Sequence, residues 1–81
     1  MDAVTEMIEE ARRLLGEGND KRAADLLTMA AAECHDTTKS GMIRALAMQG
    51  RERSGRFGKR RWDEAIRISE KRLAEEAAQP G

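Results

Sequence analysis

The sequence predicts an all-α fold of four helices that form two antiparallel hairpins. Apolar residues recur at steps of three and four along most of the 81-residue chain, and this spacing lines one face of an α-helix. Breaks rich in glycine, asparagine and aspartate separate the periodic stretches. No stretch alternates convincingly with a period of two, so we expect no strands.

The first helix is predicted over residues 3–15. Asp2 is a candidate N-cap, because a short acidic side chain satisfies the free amides of a first helical turn. Gly16 and Gly18 end the helix, since glycine accepts the left-handed conformation of a C-cap. The expected inner face contains Val4, Met7, Ile8, Ala11, Leu14 and Leu15.

The second helix is predicted over residues 21–34, with Asn19 or Asp20 as its cap. Because the connection to the first helix is short, the two helices must be antiparallel neighbours. Residues 3–34 therefore form the first predicted hairpin.

The second hairpin is predicted over residues 38–78. Its first helix runs from about Lys39 to Gly50 or beyond, and its second from near Arg61 to about residue 78. Trp62, Ile66, Ser69 and Leu73 lie on the expected inner face of the last helix, and the expected stripe of the third helix contains Met42, Ile43, Ala45, Leu46 and Met48.

The length and composition exclude several classes of protein. A chain of 81 residues is one domain, here 1–78 with a frayed tail at 79–81. No apolar run approaches the roughly 20 residues that span a bilayer, and the acidic, helical N-terminus is unlike a signal peptide. A single cysteine, Cys34, excludes an intrachain disulfide and fits a reducing compartment. We therefore expect a cytoplasmic protein without a membrane partner.

The net charge is zero, but the two halves of the chain differ. Residues 1–40 hold five basic and nine acidic side chains, and residues 41–81 hold ten basic and six acidic ones. The halves therefore carry −4 and +4. Such halves either complement each other within one fold or favour head-to-tail self-association.

The pattern of small and bulky residues resembles a degenerate tetratricopeptide repeat over nearly the whole chain. Trp62 is followed three residues later by Ala65, as in the second helix of that repeat. Ala11 and Ala45 occupy matching places in the first and third helices, 34 residues apart. The remaining matching positions are Met7, Leu14, Gly18, Ala23, Leu27, Ala30 and Met48. The resemblance implies a module that binds a peptide or helix in a groove between helices one and three.

The sequence also departs from the repeat. An aromatic residue is missing near Met7, and His35-Asp36 stands where the family usually ends in proline. Ala23 and Ala65 are 42 residues apart, eight more than one repeat. The excess falls in the basic, glycine-rich segment 50–61. An ordinary four-helix bundle would have the same local pattern and remains the alternative.

The segment 50–61 is the first candidate binding site. It combines arginines and a lysine with three glycines, and both aromatic residues of the chain lie at or beside it. Arginine binds phosphate through two parallel hydrogen bonds, and an aromatic ring stacks on a base. The alternatives are a solvated loop, or a phenylalanine that anchors the loop. The candidate residues are Arg44, Arg51, Arg53, Arg56, Phe57, Lys59, Arg60 and Arg61.

The sequence gives little support for catalysis. Cys34, His35 and Asp36 are consecutive, and consecutive helical residues diverge instead of converging on one point. One cysteine and one histidine do not make a closed zinc site. We expect a buried Cys34 with Asp36 as a cap, and we predict no enzyme, no metal and no cofactor.

The predicted function is therefore non-catalytic protein–protein interaction, with a partner protein, a peptide or a second copy of the chain. Met29 and Ile68 lie off the main apolar stripes and are candidate exposed contacts. The alternative is an accessory protein that binds nucleic acid or another anion through residues 50–61.

Overall fold

The computed structural model describes residues 2–78, and within that range it contains four α-helices and one short 3₁₀ helix. Their bounds are α1 Ala3–Glu17, α2 Asp20–Glu33, α3 Thr37–Arg53, the 3₁₀ helix Lys59–Trp62 and α4 Asp63–Ala78. The all-α prediction is confirmed. The predicted tail at 79–81 lies outside the described residues.

The caps of α1 agree with the expected local chemistry. The Thr5 amide donates a hydrogen bond of 2.8 Å to the Asp2 carboxylate, which confirms Asp2 as the N-cap. At the other end, Gly18 adopts a left-handed φ of 79°. Gly16 stays inside the helix, so α1 ends two residues later than the prediction.

Helix α3 begins two residues before the predicted start, and its end beyond Gly50 agrees with the prediction. Asp36 is its N-cap and accepts a hydrogen bond of 2.8 Å from the Thr38 amide. The helix continues through Gly50 to Arg53. The segment 50–61 is therefore not one loop, because only residues 54–58 lie between α3 and the 3₁₀ helix.

The helices pair as two hairpins. The most extensive contacts join α1 to α2 and α3 to α4, and α2 also packs against both α3 and α4. Helix α1 contacts α3. The molecule is flat, at 39 × 30 × 14 Å, so its smallest dimension is little more than the roughly 10–12 Å diameter of one helix with its side chains.

Alanine makes up seven of the fifteen buried apolar residues of the core. Small side chains at the contacts allow helix axes to approach closely, and the larger core residues fill the space between them. The buried alanines are Ala11, Ala23, Ala24, Ala30, Ala31, Ala47 and Ala65. The larger buried residues are Ile8, Leu14, Leu15, Leu27, Cys34, Ile43, Leu46 and Trp62.

The inner face of α3 differs from the predicted stripe. Met42, Ala45 and Met48 are exposed, and the stripe prediction is wrong for these three residues. The buried residues of α3 are Ser40, Ile43, Leu46, Ala47 and Gly50. This buried face includes Gly50, which lies against the ring of Trp62.

Trp62 fastens α3 to the start of α4. Its side chain is completely buried and lies so close to Gly50 that a Cβ atom there would be 2.5 Å from the ring. The indole nitrogen donates a hydrogen bond of 2.7 Å to the Ser54 hydroxyl, which donates one of 2.8 Å to the Gly50 carbonyl. The indole therefore packs on backbone and has its polar atom satisfied.

We expect Gly50→Ala to destabilise the fold by about 1–3 kcal/mol, because the added methyl overpacks the Trp62 ring. Gly41→Ala is the matched control. It also lies in α3, where an added Cβ meets nothing within 4 Å, and it should stabilise by about 0.5–1 kcal/mol through helix propensity. Urea denaturation followed by circular dichroism measures both. If both substitutions changed the stability equally, the close packing of Trp62 on Gly50 would be contradicted.

Candidate functional site

Part of the basic segment holds the α3–α4 corner together. The Arg51 Nε donates a hydrogen bond of 2.9 Å to the Asp63 carboxylate at the start of α4. The Lys59 ammonium donates one of 2.9 Å to the Arg51 carbonyl. These two side chains close the turn around Trp62, so a ligand would have to compete with contacts inside the chain.

Arg53 and Arg44 make further connections within the chain. The Arg53 guanidinium donates a hydrogen bond of 2.9 Å to the Leu15 carbonyl and lies 3.4 Å from the Asp20 carboxylate. It therefore joins the end of α3 to the junction between α1 and α2. The Arg44 Nε donates a hydrogen bond of 2.8 Å to Glu70 of α4.

The other candidate residues of the segment face solvent. Arg56, Phe57, Arg60 and Arg61 are exposed, and the Phe57 ring is 92% accessible. Phe57 therefore does not anchor the loop. The three arginines make no side-chain hydrogen bond or ion pair with any residue in the range 2–78. The structure thus separates the predicted basic site into a structural part and an exposed part.

A second surface lies on α3, where the sequence favoured core filling by Met42 and Met48 over the alternative of a methionine-lined groove that binds an amphipathic helix. Between residues 38 and 49, the exposed side chains that form no ion pair are all uncharged. We call this set the α3 face, and it consists of Thr38, Met42, Ala45, Met48 and Gln49. The two charged residues in that span are Lys39 and Arg44, whose side chains are 29% and 39% exposed and are paired with Asp2 and Glu70. In a chain with 37% charged residues, such a face is unusual.

The α3 face has the spacing of a helix-packing seam. Thr38, Met42, Ala45 and Gln49 follow one another at steps of four, three and four, the repeat along which one helix packs on another. Met42 is 38% exposed and Met48 37%. The same spacing in the sequence fits either a core stripe or a surface seam, so periodicity alone does not distinguish the two.

Met29 and Ile68 have different surroundings. Met29 is 55% exposed on α2, on the side of the helix that also presents Arg22, Asp25 and Glu33. Ile68 is half-buried and packs against the core, so it presents less exposed surface than expected. Neither residue belongs to the α3 face.

A cavity of 440 Å³ lies where the N-terminal ends of α1 and α3 meet the α2–α3 junction. It is lined by Asp2, Ala3, Val4, Glu33, Cys34, His35, Asp36 and Lys39. Asp2 already accepts hydrogen bonds from the Thr5 amide and from Lys39, at 2.6 Å for the latter. Asp36 caps α3. Much of the polar lining is therefore engaged in holding the helix ends.

The arrangement around Cys34 is structural. The buried thiol donates a hydrogen bond of 3.2 Å to the Asp36 carbonyl and accepts one of 3.5 Å from the Ser40 hydroxyl. His35 is exposed, and no hydrogen bond joins it to the thiol within the described range. Among residues 2–78, no group of three or more His, Cys, Asp or Glu side chains is placed to hold a metal ion.

Comparisons with known proteins give no relative. No protein family, curated protein or solved structure matches the chain. The resemblance to the tetratricopeptide repeat therefore stays a prediction. Two of its matched positions differ in packing, because Ala11 is fully buried whereas Ala45 is exposed. In the range 2–78, no helix has the length and apolar character needed to cross a membrane.

We expect Arg53→Gln to destabilise the fold by about 1 kcal/mol, because a charged donor is removed from a partly buried carbonyl and from an ion pair. Arg56→Gln removes the same charge from an exposed position and should change stability by less than about 0.5 kcal/mol. Thermal and urea unfolding of both variants provide the comparison. If the two variants are equally stable, Arg53 does not join the hairpins.

The Asp2–Lys39 pair predicts a pH dependence. The hydrogen bond from Lys39, followed by that from the Thr5 amide, holds the pKa of Asp2 well below its ordinary value of 3.8. A depressed folded-state pKa stabilises the protein above the unfolded pKa, and this stabilisation is lost as the pH falls through the folded-state value. The same hydrogen bond raises the pKa of Lys39.

Asp2→Asn should therefore be less stable than the original chain near neutral pH, although asparagine remains a good cap. The difference in stability between the two chains should become smaller below about pH 4. Denaturation midpoints measured at neutral and acidic pH give the two curves. A difference that is constant with pH would show that the charge of Asp2 does not contribute.

Proposed function

We propose that the protein is a non-catalytic interaction module whose α3 face binds an α-helix of a partner protein. The observation that supports this proposal is that the exposed side chains from Thr38 to Gln49 are uncharged apart from Arg44, whose charge is paired with Glu70. Charged residues are depleted at the centres of protein interfaces, and methionine is enriched there. A cytoplasmic location and the absence of catalysis are parts of the same proposal.

The shape of the α3 face favours a helical ligand. Residues 38–49 extend over about 16 Å at the helical rise of 1.5 Å per residue, which is about three turns. A helix laid along this seam would bring its own three- and four-residue stripe against Met42, Ala45 and Met48. Methionine is flexible and polarisable, so it adapts to partner side chains of different shapes.

The size of the face indicates a weak complex. One three-turn helix buries less than the roughly 1,200–2,000 Å² of a stable interface, so we expect a transient association. Lys39 and Arg44 flank the face, but Asp2 and Glu70 hold them. Apolar contact therefore supplies most of the binding, and the affinity should depend only weakly on salt.

The groove predicted between α1 and α3 belongs to the same proposal. These two helices are in contact, and α3 would form one wall of the groove. The earlier expectation that Arg44, Arg51 and Arg53 bind the ligand has weaker support, because each already has a partner within the chain.

The test is capture of a partner from a native lysate by three immobilised proteins at low and moderate salt, with nuclease present. The first is the original chain, and the second carries Met42→Lys and Met48→Lys. The third, Met29→Lys, is the control, since Met29 is more exposed but lies among charged residues. Circular dichroism must show that all three are equally folded.

We expect the original chain and Met29→Lys to retain the same defined protein, and the double variant to bind it at least about tenfold more weakly. Equal capture by the double variant would contradict the role of the α3 face. Light scattering over a concentration series tests whether a second copy of the chain binds the α3 face. A dimer that the double variant abolishes would identify a second copy of the chain as the partner.

A further inference from the structure

The turn between α3 and the 3₁₀ helix presents the chain's one phenylalanine to solvent. The Gly58 amide donates a hydrogen bond of 3.0 Å to the Gly55 carbonyl, which closes a four-residue turn. Arg56 and Phe57 occupy the two corners of this turn. A β-turn usually places polar residues or glycine at its corners, so an aromatic ring that is 92% exposed there has no structural purpose in the fold.

Three exposed arginines lie within one six-residue stretch of the chain that includes Phe57. They are Arg56, Arg60 and Arg61. Consecutive residues of a 3₁₀ helix are 120° apart. Because Trp62 and Lys59 face the α3–α4 corner, Arg60 and Arg61 are left to diverge into solvent.

The neighbouring acidic residues do not neutralise these arginines. Asp63 is paired with Arg51, and Glu64 is paired with Arg67. Glu52 is exposed on the preceding helical turn and opposes one charge. The turn therefore keeps an excess of positive charge, within a half of the chain that carries +4.

We propose that the segment Gly55–Arg61 binds single-stranded nucleic acid, with the arginines on phosphates and the Phe57 ring stacked on an unpaired base. Guanidinium groups match phosphate oxygens in pairs, and an aromatic face stacks on any base. A ring at the tip of a turn reaches an unstacked base more easily than it reaches a base inside a duplex. This function is independent of the α3 face.

The strength and salt dependence of this binding follow from the number of contacts. Three phosphate contacts predict a slope of log affinity against log salt of about −2, at roughly 0.7 per contact for a single strand. Removal of one stacked base contact predicts a loss of about 5- to 150-fold. The binding should show little preference for base sequence, because stacking involves the face of a base and not the edge whose hydrogen-bonding groups differ between bases.

Fluorescence anisotropy with a labelled oligo(dT) or oligo(U) strand measures this affinity over a series of KCl concentrations. The triple variant Arg56→Gln, Arg60→Gln, Arg61→Gln should lose both the affinity and the salt slope. The matched control is Arg12→Gln, Lys21→Gln, Arg22→Gln, which removes three exposed positive charges from the other half of the chain. It should bind as the original chain does.

Phe57→Ala should lose about 5- to 150-fold with an unchanged salt slope, whereas Phe57→Trp should restore binding. Met42→Lys with Met48→Lys should have no effect on oligonucleotide binding, so this proposal and that of the α3 face are tested separately. An equal loss in the two charge-matched variants, or no loss in Phe57→Ala, would overturn the proposal. The proposal would also be overturned if the protein bound polyglutamate, anionic vesicles or a duplex of the same length as tightly as it binds the single strand.

Discussion

The contact between Trp62 and Gly50 is the constraint on which the second hairpin depends. A glycine in the middle of a helix costs about 0.5–1 kcal/mol relative to alanine, but here its missing side chain leaves room for an indole. Ser54 completes the contact by accepting the indole hydrogen bond and donating to the backbone of the same glycine. The register of α3 against α4 is thereby fixed at one point.

This corner also determines which basic residues remain exposed. Once Trp62 packs on Gly50, Arg51 reaches Asp63 and Lys59 reaches the Arg51 carbonyl. Arg53, one turn after Gly50, is directed towards the first hairpin. Arg51 and Arg53 stay partly exposed but are paired within the chain, whereas Arg56, Arg60 and Arg61 are exposed without such a partner among residues 2–78. Some basic side chains of the segment 50–61 thus stabilise the fold, and the others form an exposed surface.

The orientation of α3 has a second consequence. Because Ile43, Leu46, Ala47 and Gly50 face the core, Met42, Ala45 and Met48 face outward. A flat, alanine-rich molecule with a minimum dimension of 14 Å has little interior to spare for such side chains. The two proposed surfaces therefore both depend on how α3 packs against Trp62. They follow one another along the chain from Thr38 to Arg61.

The sequence by itself determined the helices and most of their ends. Hydrophobic period, glycine and short polar caps act within a few residues, so local chemistry alone predicted Asp2 as a cap and narrowed the other two ends to Gly16 or Gly18 and to Asp36 or Thr37. The burial of Trp62 was readable for a similar reason, since it lies on the apolar stripe of its helix. The number of helices and their pairing into hairpins follow from these signals and the short connections.

Only the tertiary structure decided which side of α3 is buried and which arginines are available. Both depend on contacts between residues far apart in the chain, such as Arg53 with Leu15 and Arg44 with Glu70. A stripe of methionine and alanine has the same spacing inside a core and on a surface, and only the partner helix distinguishes the two. The candidate sites lie where local pattern is ambiguous and long-range packing makes the choice.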